Sequence, residues 1–147
     1  MSKVCALYHI VFCTKQREMT LPEEYLPDVY RFIWSVIDNN RCRLLRIGGI
    51  GNHVHILLDL TPTRTLSDVV REIKSLSSGW LKNDKRFLMF KGWAAEYFAK
   101  SISPENKSAV INYIMTQKEH HSATELDNEI RNMASDMGVA YDCRDLI

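Results

Sequence analysis

The sequence predicts an α+β fold: an antiparallel sheet built in the order β-α-β-β-α-β, with an additional C-terminal helix. Three observations carry this expectation. Apolar runs of strand composition alternate with segments whose apolar residues recur at helical spacing. Two of the runs are separated only by a Gly-Asn pair, and a proline-opened helical segment follows the last run. The order of the first six elements is that of the split β-α-β, or ferredoxin-like, arrangement. Such a sheet carries both helices on one face, which leaves the extra helix to cover the other.

Each element has a local justification. "VCALYHIVFCTK" (4–15) is rich in β-branched, aromatic and small apolar residues on both alternating sets, as in a central strand covered on both faces. In "LPEEYLPDVYRFIWSVIDNN" (21–40), Leu26, Val29, Tyr30, Ile33 and Ile37 lie at helical spacing, with acids in the first turn and Asn39-Asn40 as a stop. "RCRLLRIGGI" (41–50) and "HVHILLDL" (53–60) form a hairpin, their "GN" linker being the two-residue turn signal in reversed order. In "TLSDVVREIKSLSSGWLK" (65–82), Thr65 is the N-cap and Asp68 the capping-box acid. Leu66, Val69, Val70, Ile73, Leu76 and Trp80 line one side. "GWAAEYFAKSIS" (92–103) supplies the fourth strand, and Ser103-Pro104-Glu105 opens the late helix.

At 147 residues the chain suits one domain with a substantial core. No apolar run reaches the roughly 18 residues that a membrane span needs. The start, "MSKVCALYHI", lacks the pattern of a signal peptide. Cys5, Cys13, Cys42 and Cys143 form no CxxC pair and read as reduced thiols of a cytoplasmic protein. A net charge of +1 conceals an asymmetry: residues 1–118 hold 17 Lys and Arg against 11 Asp and Glu, residues 119–147 only 2 against 7. The basic clusters can attract phosphates. Lys15, Arg17, Arg43, Arg46, Lys74, Lys82, Lys85 and Arg86 are the candidate DNA-binding contacts, and Trp80 or Trp93 could stack on an unpaired base. The acidic tail suggests only a helical cap around 124–137.

The chemistry concentrates in "GNHVHILLDL" (51–60). Side chains alternate across a strand, so His53 and His55 share one face with Cβ atoms roughly 7 Å apart. Val54, Ile56, Leu58 and Leu60 point the other way, toward the core. Two imidazoles so placed can converge on one metal ion. A third ligand is then required, and the late helix "VINYIMTQKEHH" (110–121) offers one. Tyr113 and Gln117 stack on one helical face, while Val110, Ile111, Ile114 and Met115 form an adjoining apolar arc that would dock on the open face of the sheet. Two imidazoles and the Gln117 amide, with open positions, suit Mg²⁺ or Mn²⁺. Tyr113 would sit one turn away, a nucleophile only where a nearby cation or base favours phenolate.

Taken together, "YHIVFCTKQRE", "NHVHILLDL", "LSDVVREIKSLSSGWL" and "YIMTQKEHH" span nearly the whole chain. In this order the sequence resembles the single-tyrosine transposases of small bacterial insertion sequences and their relatives, the REP-associated tyrosine transposases, which are HUH nucleases. The resemblance implies one HUH transposase domain over 1–147, with a core about 3–121 and an acidic cap about 122–147. It implies His53, His55 and Gln117 as metal ligands for Mg²⁺ or Mn²⁺ and Tyr113 as the catalytic nucleophile. It further implies cleavage and rejoining of single-stranded hairpin DNA at insertion-sequence ends through a 5′-phosphotyrosine intermediate, and a homodimer in which each late helix completes the partner's site. Two positions depart from the family pattern: Asn52, where relatives often have Asp, and Glu96-Tyr97-Phe98, where a Gly-Tyr-Gly-like sequence is usual. Two other readings compete: a non-catalytic DNA- or RNA-binding module of the same fold, and a zinc hydrolase using His53, His55 and one more of the five histidines, such as His120 or His121.

Overall fold

The computed structural model describes residues 2–116 and 123–139. Strands β1 (Leu7–Cys13), β2 (Arg43–Ile50), β3 (His53–Asp59) and β4 (Phe98–Ile102) form one antiparallel sheet in the order β2-β3-β1-β4. Helices α1 (Leu26–Asn39) and α2 (Leu66–Lys82) follow β1 and β3, which gives the predicted ferredoxin-like, α+β order. Two further helices, α3 (Lys107–Met115) and α4 (Ala123–Met137), come after the last strand. Among the described residues no helix is long and apolar enough to cross a membrane.

The sheet is buried on both faces because its strands are apolar on both alternating sets. On one face Ile10, Phe12, Val54, Ile56 and Leu58 pack with Val29, Ile33 and Ile37 of α1 and Val69, Val70 and Ile73 of α2. On the other face α3 and α4 divide the cover. Ile114 of α3 packs on Leu7 and Leu57, and Ile130, Met133 and Ala134 of α4 pack on Val11, Cys13 and Phe98. The result is three layers, with the histidine-bearing face enclosed between the sheet and the two late helices.

Local chemistry explains the boundaries. The Thr65 side chain accepts from the Asp68 N–H at 3.1 Å and caps α2, as predicted, whereas the Asp68 carboxylate takes a bond from Arg71 at 2.8 Å. The Asn40 amide donates to the Val36 carbonyl at 2.8 Å, and Arg41 adopts a left-handed conformation (φ 61°) that ends α1. The fourth strand is shorter than the predicted 92–103. Gly92 takes φ 116°, and the Ala94 and Ala95 carbonyls turn aside to accept the Lys74 ammonium at 2.7 and 2.9 Å. Only a Thr14–Trp93 bridge precedes the regular ladder. Two residues assigned to buried stripes are exposed, Leu76 on α2 and Met115 on α3. The inner side of α2 is completed instead by Ser77 and Leu81. Ser77 belongs there because its hydroxyl accepts from the Trp93 indole at 2.9 Å and donates to the Ile73 carbonyl.

Seating α3 on the sheet depends on one missing side chain. A Cβ on Gly48 of β2 would lie 2.8 Å from the Ile114 carbonyl oxygen and 3.0 Å from its Cγ2. The helix therefore approaches β2 more closely than any other residue would permit. Gly48→Val should cost about 1–3 kcal/mol through overpacking and lift the helix that carries Tyr113; urea unfolding measured by circular dichroism checks the loss.

Candidate active site

Strand β3 brings His53 and His55 to the face beneath α3 and α4, where both rings are fully buried. Their centroids are 5.0 Å apart and the rings nearly perpendicular. A buried imidazole needs partners for its ring nitrogens, and the partners here set the tautomers. The Asn52 amide nitrogen donates to the Arg17 carbonyl at 3.2 Å, which turns its Oδ1 toward His53 Nδ1 at 2.8 Å. An amide oxygen only accepts, so Nδ1 carries the hydrogen and the lone pair of neutral His53 lies on Nε2. Asn52 thus fills the position that is often aspartate in the family, and fills it as a hydrogen-bond acceptor.

His55 is held by a residue that sequence reasoning missed. His9 of β1 points to the same face, and its Nε2 lies 2.8 Å from His55 Nδ1. Burial, reinforced by the neighbouring His55, pushes the His9 pKa down to about 3, so this ring is neutral at pH 7. The other nitrogen of His55, Nε2, faces Glu129 Oε1 of α4 at 3.0 Å. Both atoms are shielded from solvent and meet at a distance where electrostatics is strong. His53, His55 and Glu129 each offer a ligand atom, and the three atoms lie within 4.8 Å of one another.

The Glu129 side chain is only 10% exposed. Burial alone would raise its pKa, but interactions with His55, the Tyr113 hydroxyl and His53 override that and hold it at about 2. Tyr113, on α3, places its ring centroid 5.7 Å from His55 and 6.1 Å from His9, edge-on to both and within one chain. A cleft of about 430 Å³ between α3 and α4 opens onto this group, with His9, Lys100, Tyr113 and Glu129 in its lining. Gln117, the expected third ligand, lies outside the described residues, as do His120 and His121.

The expected DNA contacts are spread and differently engaged. Lys15 and Lys82 are exposed and meet over Gly92, and Arg46 and Lys85 are also exposed. Arg43 lies 3.6 Å from Asp59. Arg17, its side chain 16% exposed, pairs with Asp127 of α4 at 3.4 Å. Lys74 is held by the two carbonyls that end the ladder early. Arg86 bonds Asp84 and Asp28 and lies over the Tyr25 and Phe87 rings. Of the two tryptophans, Trp93 is core, and Trp80 stacks on Phe32 with centroids 4.8 Å apart.

A signal for His9 was present: it is the one polar residue among Leu7, Val11 and Cys13 on its face of β1. Glu129 directly precedes Ile130, which opens the Ile130–Met133–Ala134–Met137 stripe at helical spacing, so it flanks the inner face of its helix.

A four-stranded antiparallel sheet with a buried His-x-His pair, and a tyrosine set against it from a following helix, is the arrangement expected of a single-tyrosine transposase. Residues 3–117 match the family model described as "Transposase IS200 like", and the chain belongs to that family. It is 22% identical over 115 residues to the ISDra2 transposase TnpA of Deinococcus radiodurans, covering 75% of this chain and 82% of that one. It is 26% identical over 117 residues to the transposase for insertion sequence element IS200 of Salmonella typhimurium, with 76% of each chain covered. Among solved structures, a candidate transposase from Deinococcus radiodurans R1 superimposes with a TM-score of 0.59 at 23% identity, over 80% of this chain and 95% of that one. A REP-associated tyrosine transposase bound to a REP hairpin gives 0.60 at 15% identity, over 79% and 72%. At these identities the structural likeness is one of fold.

The pKa shifts fix the acid response of the metal-free protein. His9 and Glu129 both bind protons less readily when folded than their ordinary values of 6.5 and 4.5. The unfolded chain therefore takes up more protons on acidification, and stability falls as pH drops below about 6.5, by up to about 1.4 kcal/mol per pH unit for each group. In urea unfolding with a chelator present, His9→Gln, which does not titrate, should flatten the decline between pH 6.5 and 4.

Proposed function

We propose that this IS200-like transposase cleaves and rejoins single-stranded DNA by transesterification at Tyr113, with a divalent metal held by His53, His55 and Gln117. The observation that carries the reading is the Tyr113 phenol set edge-on to His55, in a cleft open to substrate whose lining it shares with Glu129. The donor set suits the ion: Asn52 directs the lone pair of His53 to Nε2, and His9 orients His55 as outer partners of metal-bound imidazoles do. A bound Mg²⁺ or Mn²⁺ would polarise the scissile phosphate and stabilise charge on its oxygens.

The protein's own part is nucleophilic and positional. The Tyr113 oxygen attacks phosphorus in line, a bond forms between phenol and 5′-phosphate, and the 3′ oxygen departs and takes up a proton. Because the phosphotyrosine keeps the energy of the broken linkage, a 3′-OH from another strand can displace the tyrosine and restore a phosphodiester. Hairpin recognition follows by analogy with the relative solved on a REP hairpin, with the exposed Lys15, Arg46, Lys82 and Lys85 as phosphate contacts. The family resemblance implies a homodimer with shared active sites, and sedimentation reports the dimer. The second reading, a dimer whose sites are each assembled within one chain, is favoured by Tyr113 facing its own His55.

Incubating the protein with labelled single-stranded hairpin DNA and Mn²⁺ should give a slower, protein-linked band on a denaturing gel. Tyr113→Phe should abolish that band and leave hairpin affinity near normal; cleavage at the wild-type rate by the variant would remove Tyr113 from the role. Affinity for the hairpin should fall by roughly an order of magnitude or more between 50 and 200 mM salt if several lysines meet phosphates. A flat response in a filter-binding titration counts against the basic surface.

A further inference from the structure

Resting on the metal-dependent reading above, we infer that Glu129 of α4 is itself a ligand of the metal ion, so that the C-terminal helix is part of the metal centre. His55 Nδ1 is engaged by His9 at 2.8 Å, and its Nε2 lies only 3.0 Å from Glu129 Oε1, both atoms shielded from solvent. A ring nitrogen lone pair and a carboxylate oxygen at that distance repel each other unless positive charge lies with them. A divalent ion between them supplies that charge, because both atoms then become ligands.

The spacing suits an ion. Adjacent ligands on an octahedral centre with bonds of about 2.1 Å stand about 3.0 Å apart, and opposite ones about 4.2 Å. The observed 3.0 Å between His55 Nε2 and Glu129 Oε1 matches an adjacent pair. The whole His53–His55–Glu129 set lies within 4.8 Å, and a pair at that limit would close by about 0.6 Å to stand as opposite ligands. The chemistry agrees as well: an ionised carboxylate gives Mg²⁺ or Mn²⁺ the hard anionic oxygen that two imidazoles lack. Glu129 and Tyr113 line the same cleft, so a ligated Glu129 would set the ion beside the nucleophile.

Titration calorimetry with Mn²⁺ alone, on the full chain, tests this. Glu129→Gln keeps the volume and an oxygen that can accept from Tyr113 but removes the charge; it should bind Mn²⁺ at least about 10-fold more weakly than wild type. The Mn²⁺-induced rise in melting temperature should shrink in parallel, and the chelated variant should still melt cooperatively, which separates ligand loss from unfolding. Glu129→Asp, with its carboxylate retained, should bind more tightly than Glu129→Gln. If His53→Ala loses Mn²⁺ affinity while Glu129→Gln keeps or gains it, the inference is overturned and the proposed function stands. If neither variant loses affinity, both fall.

Discussion

Two imidazoles without solvent contact, side by side on the central strand of a sheet, are the constraint on which the rest of this structure turns. Buried polar rings are stable only with partners, and each partner here is drawn from a different element: Asn52 from the hairpin turn, His9 from β1, Glu129 from α4. The hairpin turn is tied in further, because Asn52 can present its oxygen to His53 only while its nitrogen bonds the Arg17 carbonyl. Gln16 and Arg17 both adopt left-handed backbone (φ 58° and 55°). Such conformations persist where surrounding contacts over-determine them, and the Asn52 bond is one such contact. Site chemistry and loop conformation are therefore one network.

The sheet and its first two helices were legible because their signals are local. Alternation placed Val54, Ile56 and Leu58 on the core face and the histidines opposite, and the structure has them so. Thr65 read as a cap because a hydroxyl before an amphipathic run has little else to do. What stayed hidden depends on meetings between distant parts of the chain. His9 lies 46 residues from His55, and nothing in "LYHIV" says which strand will lie beside it. The early end of the fourth strand depends on Lys74, a helix residue that takes two carbonyls out of the ladder. Lys74, Arg17 and Arg86 counted equally in a tally of basic residues. Only packing shows that each is engaged within the protein.

The charge asymmetry of the sequence also acquires a structural sense. The basic body and the acidic tail meet, with Arg17 against Asp127 at 3.4 Å and Lys100 against Asp136 at 3.6 Å. The Lys100 pair is exposed and contributes about 0–1 kcal/mol, and the more buried Arg17 pair is long at 3.4 Å, so they do not hold α4 in place by themselves. The apolar stripe of Ile130, Met133 and Ala134 on Val11, Cys13 and Phe98 supplies the larger part. The ion pairs favour one docking of that stripe over its alternatives, and the favoured docking is the one that delivers Glu129 to His55.

Tyr113 and the imidazoles are thus carried on supports of very different firmness. His53 and His55 belong to a strand paired on both sides, where a shift would break ladder bonds to β1 and β2 together. Tyr113 belongs to a nine-residue helix, shorter than the roughly 12–15 residues that sustain an isolated helix even in favourable sequences. Its position therefore comes from docking, through Ile114 in the notch at Gly48 and on Leu7 and Leu57. On the proposed mechanism, a nucleophile that first attacks a phosphate and is later displaced from it benefits from a support that can yield, while the residues that would hold the metal stay fixed. The sequence divides the two tasks between a strand with no freedom and a helix that stands only where its neighbours place it.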